Sequence, residues 1–190
     1  MIPNQSQTIW RGFHWAFFLN VQGLIICLRR FETHLALDNI QQAQIELKTA
    51  TELLLASGAA MELAGSFSRQ EYEKIVRRSM APPKVQSANF SGLMSWEHAA
   101  LMQIWKRLHS SFENLPLALQ QHHQEFVQAY LSLAKAHRAV CDKFGGSESG
   151  SLRSEGGLAV ETLDRFSESR QALIDPHQSA TRGCPFSHKS

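Results

Sequence analysis

The run from Phe126 to Cys141 contains neither glycine nor proline, and it constrains this chain more than any other stretch. Phe126, Tyr130, Leu133, His137, Cys141 and Phe144 recur at steps of three and four, so they share one face of a helix. On that face an imidazole and a thiol lie one turn apart among apolar neighbours. Such a pair either packs in a core or holds a planar cofactor, and spacing alone leaves both open.

The remaining pattern is also helical. Residues 1–8 are polar and expected to fray. A long amphipathic run then continues from Ile9 to Leu37, and Asp38 is expected to cap the next helix. That helix, 39–64, carries Ile40, Ala43, Leu47, Ala50, Leu54 and Met61 and stops at Gly65. Ser68 and Glu71 form a capping box for a third helix, which Pro82-Pro83 ends. Ser95 caps a fourth, carrying Trp96, His98, Leu101, Met102 and Trp105 and ending near Phe112. The helix of the opening run starts near Pro116 and stops at Gly145-Gly146.

Residues 145–157 are rich in glycine and serine, a short helix follows at 158–173, and the tail from Asp175 is irregular. No strand and no fixed-period repeat is evident. The expectation is an all-α chain: a helical bundle of four main helices with a short extra helix and an irregular C-terminal tail. It divides into a frayed start (1–8), a helical cofactor-binding domain (9–145), a Gly/Ser-rich loop with a short helix (146–174) and the tail (175–190).

Charge narrows the partners. Nineteen basic and 17 acidic residues give a net +2 with no basic run, which argues against nucleic acid or an anionic membrane. Cys27, Cys141 and Cys184 are few and scattered, as expected in a reducing compartment. No leader pattern precedes the first apolar residues, and Phe13 to Leu28 is interrupted by His14, Asn20 and Gln22. A cytoplasmic protein without a membrane segment follows as the expectation.

Of the nine histidines, His34, His109, His122, His123, His177 and His188 lie in polar or terminal contexts and are expected to be solvated. Zinc would want four ligands with close pairs elsewhere, which the sequence does not supply. Heme needs fewer: one or two imidazoles on facing helices, apolar walls and cations for the propionates. A second imidazole is available at His98, 38 residues before His137.

The pattern His98, 38 residues, His137, three residues, Cys141 resembles the heme motif of the histidine-ligated, heme-dependent aromatic oxygenases. Within that superfamily it is most similar to the c-type-heme 3-methyl-L-tyrosine hydroxylases of saframycin biosynthesis. Further stretches resemble tryptophan 2,3-dioxygenase: His137–Arg153 (HRAVCDKFGGSESGSLR), Glu71–Leu101, and Phe13–Phe17 around His14.

The resemblance implies a tryptophan-dioxygenase-like bundle, heme ligated by His137, and one thioether at Cys141. It implies His98 as sixth ligand or distal-pocket residue, and His14 as a second distal candidate. Arg138 and Arg153, with Arg77 and Arg78 behind them, are cations that match propionates. Trp96 and Trp105 would wall the pocket. The implied activity is a heme-dependent oxygenase or peroxygenase on a small tyrosine- or tryptophan-like aromatic, and the implied assembly a homo-oligomer. The dioxygenase's Phe-Arg pair is missing, since the chain reads Ser95-Trp96-Glu97-His98-Ala99.

The alternative is a bis-histidine, c-type cytochrome-like electron carrier or a redox or heme sensor. A bundle without cofactor, working through its surfaces, is a third reading. In the tail, Cys184-Pro185 resembles the dipeptide of regulatory heme motifs.

Overall fold

In the computed structural model, which describes residues 5–80, 83, 95–148 and 157–177, every regular element is helical. Helix α1 is Gln5–Ala36 and α2 is Ile40–Ala64. Helix α3 spans 69–79 and is made of Arg69–Glu71, a π-helical turn Tyr72–Val76, and Arg77–Ser79. Then come α4 (Trp96–Glu113), α5 (Leu117–Lys143) and α6 (Ala159–Ile174). Among the described residues no helix is long and apolar enough to cross a membrane.

Helix α1 begins earlier than its hydrophobic pattern suggests. The helix already includes Gln5, and Ser6 is buried rather than frayed. The turn into α2 also differs by one residue. Asp38 adopts φ +54° and closes α1 in a Schellman arrangement, with Asn39 N–H donating to His34 O and Asp38 N–H to Leu35 O. The cap therefore falls to Asn39, whose Oδ1 accepts from the Gln42 N–H at 3.3 Å.

The core grows from two matched stripes. Val21, Leu24, Leu28 and Phe31 of α1 are buried, as are Ala43, Leu47, Ala50 and Leu54 of α2. Each large side chain so buried contributes on the order of 2 kcal/mol. Alternating alanines on α2 let the two helices approach closely. On another face α2 packs against α5, where Gly58 admits the Leu133 backbone: a Cβ there would lie 3.6 Å from Leu133 Cα. At its end Gly65 meets the Val140 methyls, and Lys143 Nζ donates to Gly65 O at 2.6 Å.

Helix α4 leans on α1, aided by the Arg107–Glu32 fork at 3.0 and 2.9 Å. Aromatic rings fill the space between α4 and α5: Trp105 on Tyr130 at 5.3 Å, and Phe112 against Phe126 and His123. Helix α6 packs on both.

The register of α6 is set by polar pins. His109 Nδ1–H donates to Leu173 O (3.0 Å), His123 Nε2–H to Ile174 O (2.6 Å), and Tyr130 O–H to Ser167 O (3.4 Å). Arg138 Nε donates to Asp164 at 2.9 Å. Rising numbers on α5 meet falling numbers on α6, so the two are antiparallel. These pins correct the expectation of solvated histidines. His123 is buried and stacked on Phe112, and His109 and the half-buried His122 are hydrogen-bonded, the latter to Gln44 and Glu125. A buried imidazole requires such partners, and here they lie far away in sequence.

A second, smaller core lies beneath the start of α1. It is built of Phe67, Val76 and Phe144 with Trp10, Tyr72 and Val140 packed on them. Tyr72, at the head of the π turn, stacks on Phe144 at 4.2 Å and 6°.

Candidate functional site

Helices α4 and α5 run antiparallel, and Trp105 faces Tyr130. His98 lies seven residues before Trp105, and His137 lies seven residues after Tyr130. Seven residues are two turns, so the two imidazoles are carried to one level of the facing helices. Ser95 fixes the start of α4 by accepting the His98 N–H on its Oγ at 3.2 Å.

The electrostatics agree with that placement. Burial, then the Arg170 guanidinium and then His137, push the pKa of His98 down to about 4. Burial, then Arg170 and then His14, push His137 down to about 4. His98 and His137 thus lie within electrostatic reach of each other and of Arg170, and His137 also within reach of His14, so α1, α4, α5 and α6 each bring one side chain to this slot region. His137 keeps a partly accessible edge in spite of the dense packing about it.

Among the described residues His98 Nε2 is buried without a hydrogen bond. His14 is oriented differently. Its Nδ1–H donates to Trp10 O at 2.9 Å and its ring lies on Trp10 at 4.0 Å, which leaves an Nε2 lone pair. Burial lowers the His14 pKa more than that bond raises it. Below them Trp105 is buried with Nε1 unpaired.

Cys141 follows His137 by one turn and is half-buried, and burial, with Asp142 beside it, raises its thiol pKa. The end of α5 is built around it. Gly146 N–H donates to Cys141 O (2.8 Å) and Gly145 N–H to Asp142 O (2.9 Å), with Gly145 at φ +87°. A Cβ on Gly146 would stand 2.5 Å from Cys141 Sγ. Nearby, Arg69 of α3 forks onto Glu148 and holds this corner to α3.

The structure does not bring every expected residue to the slot. Arg138 is engaged by Asp164 and lines a separate groove of about 220 Å³ between α5 and α6. Trp96, the first residue of α4, is 83% exposed and walls nothing, whereas Trp105 lies inside. The cation that acts on both imidazoles is Arg170 of α6, which the sequence reading did not name. Arg153 and Cys184-Pro185 lie outside the described residues.

Arg170 is the residue that sequence reasoning missed. Its signal was present, because it shares an apolar stripe with Leu163, Phe166, Leu173 and Ile174.

The arrangement suits heme. Iron takes an unprotonated imidazole, and the slot offers two at one level that stay neutral down to about pH 4, one with a buried, unpaired Nε2. A half-buried cation, Arg170, and the buried Trp105 stand near them. Among the described residues no three of His, Cys, Asp or Glu converge as a metal-ion cage.

The depressed imidazoles predict acid sensitivity of the heme-free chain. Their folded pKa values lie below the ordinary 6.5, so between pH 6.5 and about 4 the unfolded chain binds more protons. Their contribution is complete above pH 6.5 and is lost as the pH falls through that window, costing roughly 1–3 kcal/mol per imidazole. Thermal melts should fall steeply over this range, and the His98→Phe/His137→Phe double variant should flatten the fall. An unchanged slope in that variant would contradict the placement of both rings.

Comparison with known proteins gives two matches. Residues 2–124 match the family described as SfmD 3-methyl-L-tyrosine peroxygenase, a match that stops short of His137 and Cys141. A curated 3-methyl-L-tyrosine peroxygenase from Streptomyces lavendulae is 25% identical over 176 residues, covering 91% of this chain and 48% of that protein. The chain thus spans about half the length of that relative. No solved structure is detectably similar.

Proposed function

We propose, from the premise that this chain belongs to the SfmD 3-methyl-L-tyrosine peroxygenase family, that it is a heme-dependent peroxygenase acting on a small tyrosine-like aromatic. The observation that carries the heme reading is the pair of imidazoles held neutral by burial, His98 and His137, at one level of α4 and α5, the first with an unpartnered Nε2. In this reading His137 ligates the metal and Cys141 carries a single thioether, as in the histidine-ligated aromatic oxygenase superfamily. When bound, heme supplies the redox chemistry that carries a peroxide oxygen to an aromatic ring.

The chain's own residues prepare that chemistry. His98 Nε2, buried without a partner, is the atom available to exchange a proton with hydrogen peroxide. With a pKa near 4 it holds that proton weakly and passes it on, acting as a relay. His14 supplies a second acceptor at Nε2, because its Nδ1–H is committed to Trp10. Trp105 and Tyr130 close the base of the slot against water.

The test is a heme stain after denaturing electrophoresis. The parent chain should stain. Cys141→Ala should not, while its folded form keeps a Soret band through His137. An unstained parent would remove the thioether.

A second reading rests on the same orphaned His98 Nε2. If it ligates the metal together with His137, the protein is an electron carrier or sensor. Rapid spectral response to cyanide or peroxide supports the peroxygenase, and inertness supports the carrier.

A further inference from the structure

Helix α1 carries two apolar stripes, and the core uses one of them. Val21, Leu24, Leu28 and Phe31 are buried, whereas Trp15, Leu19 and Ile26 on the opposite face are 70%, 62% and 55% exposed. With the exposed Gln22 and Arg29 these three recur at steps of four, three, four and three, the spacing of a coiled-coil seam. Gln22 Nε2 donates to Glu97 Oε1 at 3.2 Å, so the first turn of α4 flanks the middle of the seam, and Trp96 opens that turn 83% exposed. Each of the four large side chains offers roughly 100–200 Å² to water, together about 500 Å² per chain, a size that marks an interaction surface.

The order of residues along the seam selects the occupant. When two copies of α1 are laid antiparallel with a two-fold axis at Gln22, Leu19 falls opposite Ile26 of the other copy and Trp15 opposite its Arg29. Every such pair is favourable. Aliphatic meets aliphatic, and a guanidinium meets the face of an indole. Gln22 meets itself, and after its bond to Glu97 its amide still has an oxygen and a second N–H to exchange with its copy. A parallel pair would instead set Arg29 against Arg29. An unlike partner gives no reason for this two-way order, whereas a second copy requires it.

We infer that this outer face of α1 binds a second copy of the chain, with the two helices antiparallel about an axis at Gln22. The interface is isologous, so every contact away from the axis is made twice. Two such patches with their polar surroundings bury about 1,000–1,500 Å², the range in which stable dimers begin. No residue of the seam belongs to the histidine slot, so the inference stands apart from the proposed function.

Sedimentation of the full chain at micromolar concentration should give twice the 21.4 kDa mass of one copy. Leu19→Glu/Ile26→Glu places carboxylates where the aliphatic residues meet. It should raise the dissociation constant by roughly a hundredfold or more, so that single chains sediment. Both positions face water within one chain, so the helical circular dichroism should not change. Orientation is read by mild oxidation in a Cys141→Ala/Cys184→Ala background. Gln22→Cys should cross-link two chains, because position 22 meets its own copy. Arg29→Cys should not, because antiparallel packing sets its two copies about 20 Å apart along the seam.

A parent that sediments as a single chain would overturn the proposal and assign the face to an unlike partner. A dimer that survives the double glutamate substitution would overturn it by placing the interface elsewhere. Cross-linking of Arg29→Cys as readily as Gln22→Cys, or a dimeric Gln22→Cys that never cross-links, would refute the antiparallel packing about Gln22.

Discussion

Under the proposed peroxygenase reading, His137→Ala should purify without a Soret band, and peroxide-dependent hydroxylation of a tyrosine-like aromatic should fall by on the order of a hundredfold or more. The expectation follows from position. His137 is the imidazole that combines a lone pair, dense packing and a thiol one turn further along the same helix. Removing it leaves the slot with His98, which stands in the Ser95-capped first turn of α4.

His98→Ala is the informative partner. Under the peroxygenase reading it keeps the band and loses turnover by roughly 10²–10⁴-fold, the usual range for a proton-transfer group. A His137→Ala protein that keeps an unaltered Soret band would refute the ligand assignment. Loss of the band in both variants would favour two-imidazole ligation and electron transfer.

The second large effect is structural. Gly146→Val should cost roughly 3 kcal/mol and lower the melting temperature by about 6–12 °C. Even the first carbon of a side chain would meet Cys141 Sγ at 2.5 Å, Cys141 O at 2.7 Å and its carbonyl carbon at 2.9 Å. The obstacle is largely backbone, so rotation of a flexible neighbour cannot relieve it. The bond from the Gly146 N–H to Cys141 O would break or stretch, and the Schellman closure of α5 with it. Heme stain should decline in parallel, because the thiol to be tethered is the group displaced. Gly12→Ala is the control: nothing lies within 4 Å of a Cβ there, and α1 should gain about 0.5–1 kcal/mol. Equal melting temperatures for Gly146→Val and the parent would show that the turn around Cys141 is not as tight as described.

Much of the architecture was legible because chain ends in helices are written in side chains. Ser68 and Glu71 form the reciprocal capping box their spacing implies. Gly65, Ser95 and Gly145-Gly146 stop or start helices where the pattern placed them. The imidazole pair was singled out by its resemblance to a heme motif, whereas its equal offsets from the Trp105–Tyr130 contact emerge only once that contact is seen.

What stayed hidden involves acceptors that carry no residue identity. His109 and His123 bond to main-chain carbonyls some fifty or more residues away, so their polar surroundings read as solvent. Asn39 displaced Asp38 as a cap because Asp38 took the left-handed corner, a choice of backbone over side chain. Arg170 read as one more surface charge on a short polar helix. Its reach to both imidazoles becomes visible only when α4, α5 and α6 come together.

The pins of α6 have a consequence for how this slot can change. Carbonyls at 167, 173 and 174 accept from Tyr130, His109 and His123, and a carbonyl is the same whatever side chain its residue bears. The instructions for seating α6 are therefore stored in its neighbours. Exposed residues of α6 can be exchanged without touching these three bonds, whereas Ile174 and Asp164 seat it through their own side chains.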